Sequence, residues 1–390
     1  MRGASRQRHR ASGRRAFAGI LRPSHALESH SVLGGRRRMS RGACRDRAVS
    51  RALSAIGAVG RGCDMGGCPG DRPSRHLSLD LARPARRPAR VMRRLSLFAL
   101  VVAYAHTVLG AIVRISGSGM GCGEHWPDCN SEFVPTLGST ATIIEFSHRL
   151  LAATLVITLV VLVIRSKDRG PAVVALGTTV IAALLGAAIV ALSLSNPYLI
   201  AVHYALAMFL LATLVVANVR AGNLGAASVQ PGDASARTFR SSRAGVGLAF
   251  IVVVLGALVA NVPGAAPSCQ GFPLCRAALM GGVPFALHVT HRALAFLLFG
   301  HLFAVAFLTR RRREGRGIVL ATRLAFSAVV LQIMVAATMV ELHLPAPLQS
   351  IHQAVGTLVW MTTVTAAALA GRALAVGAMT VGVDTHPALA

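Results

Sequence analysis

Apolar residues gather into eight long runs over the C-terminal three quarters of the chain, and polar segments separate them. A helix needs about 20 mostly apolar residues to span a bilayer. The runs meet that length, at residues 95–115, 143–165, 171–193, 197–219, 244–262, 284–309, 318–340 and 347–371. The pattern predicts an all-α membrane protein with eight transmembrane helices.

The motifs of the first four runs recur in the second four in the same order. Each half has G-A-I-V or G-A-L-V, a Gly-rich loop with two cysteines, a helix with His-Arg and a helix with a further His. These features lie at 110–113, 122–129, 146–149 and 196–203, and again at 256–259, 269–275, 289–292 and 346–352. The repeat predicts two four-helix bundles related by a pseudo-twofold axis along the membrane normal.

The distribution of charge along the chain argues against a nucleic-acid-binding protein. Of the 41 Lys and Arg residues, 23 precede residue 95, and the others cluster in alternate loops. By the positive-inside rule those loops are cytoplasmic. We therefore expect a bacterial cell-membrane protein with both termini inside and the cysteine loops outside.

The polar segment before the first run would not bury a core. We interpret it as a start assigned too far upstream, with Met92 the true start, as a disordered cytoplasmic tail, or as a transit peptide. The predicted organisation is a basic extension at 1–91, an N-terminal half at 92–220, a cytoplasmic linker at 221–243, a C-terminal half at 244–372 and a tail at 373–390.

Four histidines stand near the predicted outer ends of the second and fourth helix of each half, namely His148, His203, His291 and His352. One such histidine would be a satisfied interhelical hydrogen-bonding residue, but four at one depth, paired by a repeat, favour ligands. Two histidines from facing helices of a bundle form an axial pair for haem iron. Zinc fits less well, because no Cys or carboxylate cluster lies at that depth to complete a tetrahedron. We predict one haem per half.

The halves differ three residues before the first histidine of each pair, where Glu145 corresponds to His288. At this spacing Glu145 and His148 share a helix face. A carboxylate beside a haem can move protons or stabilise a developing cation, and the alternative is a structural acid at the start of a helix. The first-half haem is therefore predicted to be the one that reacts.

Cations and thiols flank these sites. Arg114, Arg149 and Arg292 are candidates to pair with haem propionates, or to reach lipid phosphate instead. The pairs Cys122/Cys129 and Cys269/Cys275 have the short spacing of loop-closing disulfides, with a redox relay at the first pair and metal binding as alternatives. His106 and His301 are expected to be buried hydrogen-bonding residues, His125 and His343 solvated, and His386 part of the tail.

Together the G-A-I-V-R motif, the C…W-P-x-C loop, I-E-x-S-H-R and the lone His of the fourth and eighth helices resemble the haem A synthase family over about residues 95–371. The resemblance implies oxidation of the C8 methyl of haem O to a formyl by successive hydroxylations. It implies His291 and His352 as ligands of haem b, His148 and His203 as ligands of the substrate haem, and Glu145 as the essential acid. It also implies haem O synthase and an electron donor as partners, and admits a homo-oligomer in the lipid bilayer.

Two other functions compete with this one. A transmembrane dihaem b-type cytochrome also uses paired histidines, although it usually places its haems near opposite faces. A thiol-oxidising membrane protein would explain the cysteines but not the four histidines.

Overall fold

The computed structural model describes residues 86–383 apart from 125, 193, 195, 279 and 280, and this part of the chain folds into eight long helices. All eight are long and apolar enough to cross a membrane. The all-α prediction and the eight helices are confirmed. The helices are α1 Arg86–Ile115, α2 Thr140–Arg165, α3 Gly170–Ala191, α4 Pro197–Arg220, α5 Ala236–Asn261, α6 Gly282–Arg311, α7 Arg316–Glu341 and α8 Ala346–Val383.

Helices α1 and α5 begin earlier than their apolar runs. Helix α1 starts at Arg86, and α5 starts at Ala236, where the side chain of Ser235 accepts a hydrogen bond from the backbone N–H of Thr238. Arginines lie in the first three turns of both helices, including Arg237, Arg240 and Arg243 in α5. Hydropathy marks the apolar part of a helix, whereas the cap marks its start. The rest of the predicted extension lies outside the described residues.

Polar caps also set the starts of the two histidine-bearing helices of the first half. Ser139 caps α2 by accepting from the N–H of Thr142, and Asn196 caps α4 by accepting from the N–H groups of Tyr198 and Leu199. Pro197 stands at the first position of α4, where its missing N–H costs nothing. The caps fix how far into each helix the histidine lies.

The loop between α5 and α6 contains a minor element that the sequence did not predict. A short 3-10 turn, Ala266–Ser268, leads into β1 Cys269–Gln270, which pairs antiparallel with β2 Ala277–Ala278. This two-residue hairpin closes the second cysteine loop and leaves the fold class unchanged.

The helices pack in the same cyclic order in each half. In the first half α1 and α3 each pack against α2 and α4, and in the second α5 and α7 each pack against α6 and α8. Between the halves α4 packs on α5 and α8, and α1 on α8. Trp360 of α8 donates a hydrogen bond to the carbonyl of Met208 in α4 at 2.8 Å, and this bond connects the two halves. The pseudo-twofold axis itself stays a prediction.

Candidate functional site

The four predicted ligand histidines all lie in the second or third turn of their helices. His148 is eight residues after the first residue of α2, and His291 nine residues after that of α6. His203 and His352 each lie six residues after the first residue of α4 and α8. At 1.5 Å per residue, the four positions are about 9–14 Å from their helix starts.

In the second half, the two histidines line a single cavity of about 200 Å³. Its wall is mostly apolar, and Arg292 adds a cation to it. The Nδ1–H of His291 donates to the carbonyl of Val252 in α5 at 3.1 Å. This close approach needs Gly256, because a Cβ there would lie 3.0 Å from Cε1 of His291.

His352 has a polar neighbour that the sequence analysis did not identify. The amide nitrogen of Gln332 in α7 lies 3.1 Å from Nδ1 and 3.2 Å from Nε2 of His352. The Oε1 atom of Gln332 is buried and makes no hydrogen bond to any described residue. In sequence Gln332 is one polar residue inside an apolar run, and only the rotation of α7 about its axis brings it to the histidine.

Two residues of the first half also reach the second-half cavity. Arg114, near the end of α1, lines it and donates to the carbonyl of Ala260 in α5 at 3.3 Å. Tyr204, next in sequence to His203, lines the same cavity. The seam between the halves therefore forms one wall of the second-half site.

In the first half, His148 is packed between its own helix and α1. A Cβ at Gly110 would lie 2.9 Å from Cε1 of His148, so the glycine permits this approach. His106 of α1 stacks on His148, with ring centroids 4.0 Å apart and ring planes 9° from parallel. His203 is close enough to both rings to interact with them electrostatically. The sequence analysis missed His106 as part of this group.

The Nδ1 atoms of the three first-half histidines, His106, His148 and His203, are buried and make no hydrogen bond within the described part of the chain. Buried polar atoms are rarely left without partners in a complete structure. The nearest backbone acceptors described for the two predicted ligands are the carbonyl of His106 for His148 and that of Ala182 for His203.

The residues present fit haem in both halves. Each half offers two imidazoles from facing helices, and the second-half pair opens onto an apolar cavity with cations at its edge. Within the described ranges there is no cluster of three or more His, Cys, Asp or Glu residues arranged to hold a bare metal ion. A bis-histidine haem needs only the two nitrogens and an apolar slot.

Glu145 is held at both carboxylate oxygens. Oε1 forms an ion pair with Nη2 of Arg149 at 2.6 Å, and Oε2 accepts from the backbone N–H of Cys122 at 2.8 Å. Only 4% of the Glu145 side chain is exposed. Arg149 also donates to the carbonyl of Asp128 at 2.5 Å. The acid is therefore buried, charge-paired and tied to the first cysteine loop.

His288 makes the corresponding contacts in the second half. Its Nε2 accepts from Nε of Arg292 at 3.0 Å, so its proton is on Nδ1, which donates to the carbonyl of Ala265 at 2.9 Å. Arg292 also donates to the carbonyls of Gly271 and Cys269 at 2.7 and 2.9 Å. Two of the three arginines predicted to meet propionates, Arg149 and Arg292, thus bind the cysteine loops. Arg292 also borders the cavity.

The cysteines join within each loop. Cys122 bonds to Cys129 with an S–S distance of 1.94 Å, and Cys269 to Cys275 with 1.87 Å. Of the remaining histidines, His301 lies 2.9 Å from the carbonyl of Ser241, and His343 is exposed at the corner between α7 and α8. His125 and His386 lie outside the described residues.

Comparison with known proteins shows the family to which the chain belongs. A family model described as Cytochrome oxidase assembly protein matches residues 93–364. Heme A synthase of Bacillus mycoides (strain KBAB4) is 32% identical over 244 residues, which cover 58% of this chain and 76% of the relative. Heme A synthase of Macrococcus caseolyticus (strain JCSC5402) is 31% identical over 260 residues, 61% of this chain and 83% of the relative. The chain belongs to the haem A synthase family of cytochrome oxidase assembly proteins.

Proposed function

We propose that this protein is a haem A synthase that oxidises the C8 methyl of haem O to a formyl group by two successive monooxygenase-type hydroxylations and loss of water from the resulting gem-diol. Each hydroxylation would use O2 as the oxidant, place one oxygen atom on the carbon and release the other as water with two electrons from the donor. The observation that carries the proposal is the difference between the halves. Both have paired histidines, but only the first has a buried carboxylate, Glu145, one turn before its ligand histidine. A protein that only carried electrons would need no acid there.

The second half is proposed to hold the resident cofactor, haem b. His291 and His352 would be its axial ligands, since both line the second-half cavity. Arg292 and Arg114 border the same cavity and supply positive charge for propionates. When bound, haem b supplies one-electron redox chemistry.

The first half is proposed to bind haem O as substrate through His148 and His203. Arg149 pairs with one oxygen of the Glu145 carboxylate, and the Cys122 N–H fixes its second oxygen. A preorganised negative charge stabilises positive charge that develops on the substrate carbon, because it needs no rearrangement during the reaction. The same carboxylate lies three residues before His148 on α2 and would be a proton acceptor on that side of the site.

The placement in the cell follows from the same proposal. The protein would cross the membrane of a bacterial cell eight times, with both termini in the cytoplasm and the disulfide loops outside, where oxidising conditions keep disulfides intact. Its partners would be the haem O synthase that supplies the substrate, an electron donor and, in a homo-oligomer, further copies of the chain.

The test is production of haem A. The full-length chain is expressed in cells that make haem O but lack haem A synthase, and extracted haems are separated by chromatography. We expect haem A. If the chain binds haem b in its membrane-inserted form, an electron supply is present and still no haem A forms, the proposal is wrong and the dihaem electron carrier takes its place.

A further inference from the structure

The first-half site contains a third imidazole beside its two predicted ligands. His106 of α1 stacks on His148 of α2, with ring centroids 4.0 Å apart and ring planes 9° from parallel. The contact is reciprocal, because the carbonyl of His106 faces the His148 ring and the carbonyl of His148 faces the His106 ring. Two rings and two carbonyls therefore join α1 to α2 at the level of the ligand.

The repeat in the chain places His106 at the edge of the first-half site. Glycines at the same point of the repeat, Gly110 and Gly256, each admit the first histidine ring of a pair, since a Cβ there would lie 2.9 or 3.0 Å from its Cε1. Four residues before these glycines are His106 and Val252. Val252 lines the second-half cavity, and His106 lies near enough to His203 to interact with it electrostatically. The His106 side chain thus corresponds to one that borders a haem site.

The two halves differ in how they restrain the first ligand ring of each pair. The Nδ1 atom of His291 lies 3.1 Å from the carbonyl of Val252, and the His148 ring likewise faces the carbonyl of His106. A backbone acceptor fixes the direction of one ring nitrogen, but the ring plane can still rotate about that bond. Valine has no ring to lie flat against His291, whereas the His106 ring covers a face of His148. Only the first-half ligand has its plane restrained by stacking at this position.

We propose that His106 is a positioning residue of the first-half haem site, which holds the plane of the His148 imidazole by stacking on it. The inference rests on the proposed function, because His148 is assigned there as a ligand of the substrate haem. A ligand ring that is already held in its bound orientation loses less freedom when the haem binds, and this strengthens binding. The substrate site receives a new haem in every turnover, so it gains from this restraint each time.

The experiment measures binding of haem O to the full-length protein in detergent. Ferric haem O is added without an electron donor, so that it is not consumed, and the electron paramagnetic resonance signal that it adds belongs to the first-half site. His106→Val gives this position the residue that the second half has. It should weaken haem O binding about 10–100-fold, the usual effect of losing a group that orients a metal ligand. It should also shift the added signal, because the g values of a ferric haem with two imidazole ligands depend on the angle between the ring planes.

Two further variants separate stacking from other roles of the side chain. His106→Phe keeps a flat ring against His148 but has no ring nitrogen, so it should retain the wild-type affinity for haem O and the wild-type signal. Val252→Leu is the matched control, since it changes the equivalent position of the other half. It should leave the affinity for haem O and the first-half signal unchanged.

Wild-type affinity and an unshifted signal in His106→Val would overturn the inference and leave the proposed function intact. If His106→Val does not fold, His106→Phe decides the matter. Weakened binding with a shifted signal in His106→Phe would overturn the inference, because a flat ring would then be insufficient, and wild-type values would support it. A wild-type protein to which haem O adds no signal would instead overturn the proposed function, and the inference with it.

Discussion

The two cysteine loops are attached to their histidine-bearing helices by the same geometry with opposite chemistry. In the first half a carboxylate at Glu145 accepts from an N–H of the loop, and in the second an imidazole at His288 donates to a carbonyl of the loop. Both contacts join residues 23 positions apart. An arginine one turn later, Arg149 or Arg292, reaches a loop carbonyl 21 positions earlier in both.

This comparison shows that attachment of the loop does not require an acid. The second half attaches its loop with a neutral histidine. Attachment of the loop therefore does not explain why the first half has a buried carboxylate at this position. Burying a charge is costly unless it is paired, and the Arg149 ion pair offsets that cost. This difference supports the proposal that the reaction takes place in the half that keeps the acid.

The largest difference between the halves is expected on removal of their ligand histidines. His291→Ala should lose the resident haem b and with it all haem A formation, because one imidazole of the axial pair is gone. His148→Ala should abolish haem A formation but retain haem b. Haem content of the purified protein and extracted pigments measure both. Loss of haem b from His148→Ala and its retention in His291→Ala would reverse the assignment of the two sites.

Removal of the charge at Glu145 is expected to have the next largest effect. In Glu145→Gln the amide oxygen still accepts from the Cys122 N–H, but the negative charge is lost. Haem A formation should fall about 100-fold or more, as for other preorganised charges and proton-transfer groups, while haem b content stays unchanged.

His288→Gln is the matched control for that variant, since it changes the same position in the other half. His288 lines the haem b cavity and holds Arg292, so the two proteins are compared at equal haem b content. Under that condition His288→Gln should leave haem A formation close to the wild-type rate. A normal rate in Glu145→Gln would show that the carboxylate serves only to attach the loop, as His288 does.

The sequence was sufficient to predict the helices and the positions of the paired histidines. It was not sufficient to predict which side chains contact those histidines. Apolar runs and a repeated order of motifs are one-dimensional signals, so eight helices and the correspondence of His148 with His291 could be predicted. Gln332 and His106 act across helix interfaces. Which residue of α7 or α1 faces a histidine depends on helix rotation and packing, and no spacing within one helix encodes it. The hydrogen bonds of Arg149 and Arg292 to the cysteine loops could not be predicted either, because the sequence does not show the path of those loops.

Replacing Arg149 or Arg292 should lower the stability of the protein by different amounts, because the two arginines attach the cysteine loops through different partners. Arg149→Leu leaves the buried Glu145 charge without its ion-pair partner, which costs about 3–5 kcal/mol. Arg292→Leu leaves only neutral groups unpaired, which costs about 1–3 kcal/mol. The free energy of unfolding in mixed micelles gives both values. If Arg292→Leu lowers the free energy of unfolding as much as Arg149→Leu does, the charge on Glu145 does not strengthen the attachment of the first cysteine loop.

Disulfide removal is expected to have the smallest effect. Removing either disulfide should lower stability by a similar amount, but only removal of the first should change the rate of haem A formation. The disulfides span seven residues in the first loop and six in the second, so chain entropy predicts a similar loss of about 2 kcal/mol for each Cys-to-Ser pair. Only the first loop holds Glu145, through the N–H of Cys122.

Replacing Cys122 and Cys129 by serine should therefore slow haem A formation, whereas replacing Cys269 and Cys275 should not. Both proteins are compared at equal haem b content and at a temperature where each is folded, so that the shared loss of stability does not enter the rates. Equal slowing in both would indicate that the disulfides act on the whole outer surface. Slowing in the first alone would locate their effect at the carboxylate that the Cys122 N–H holds in place.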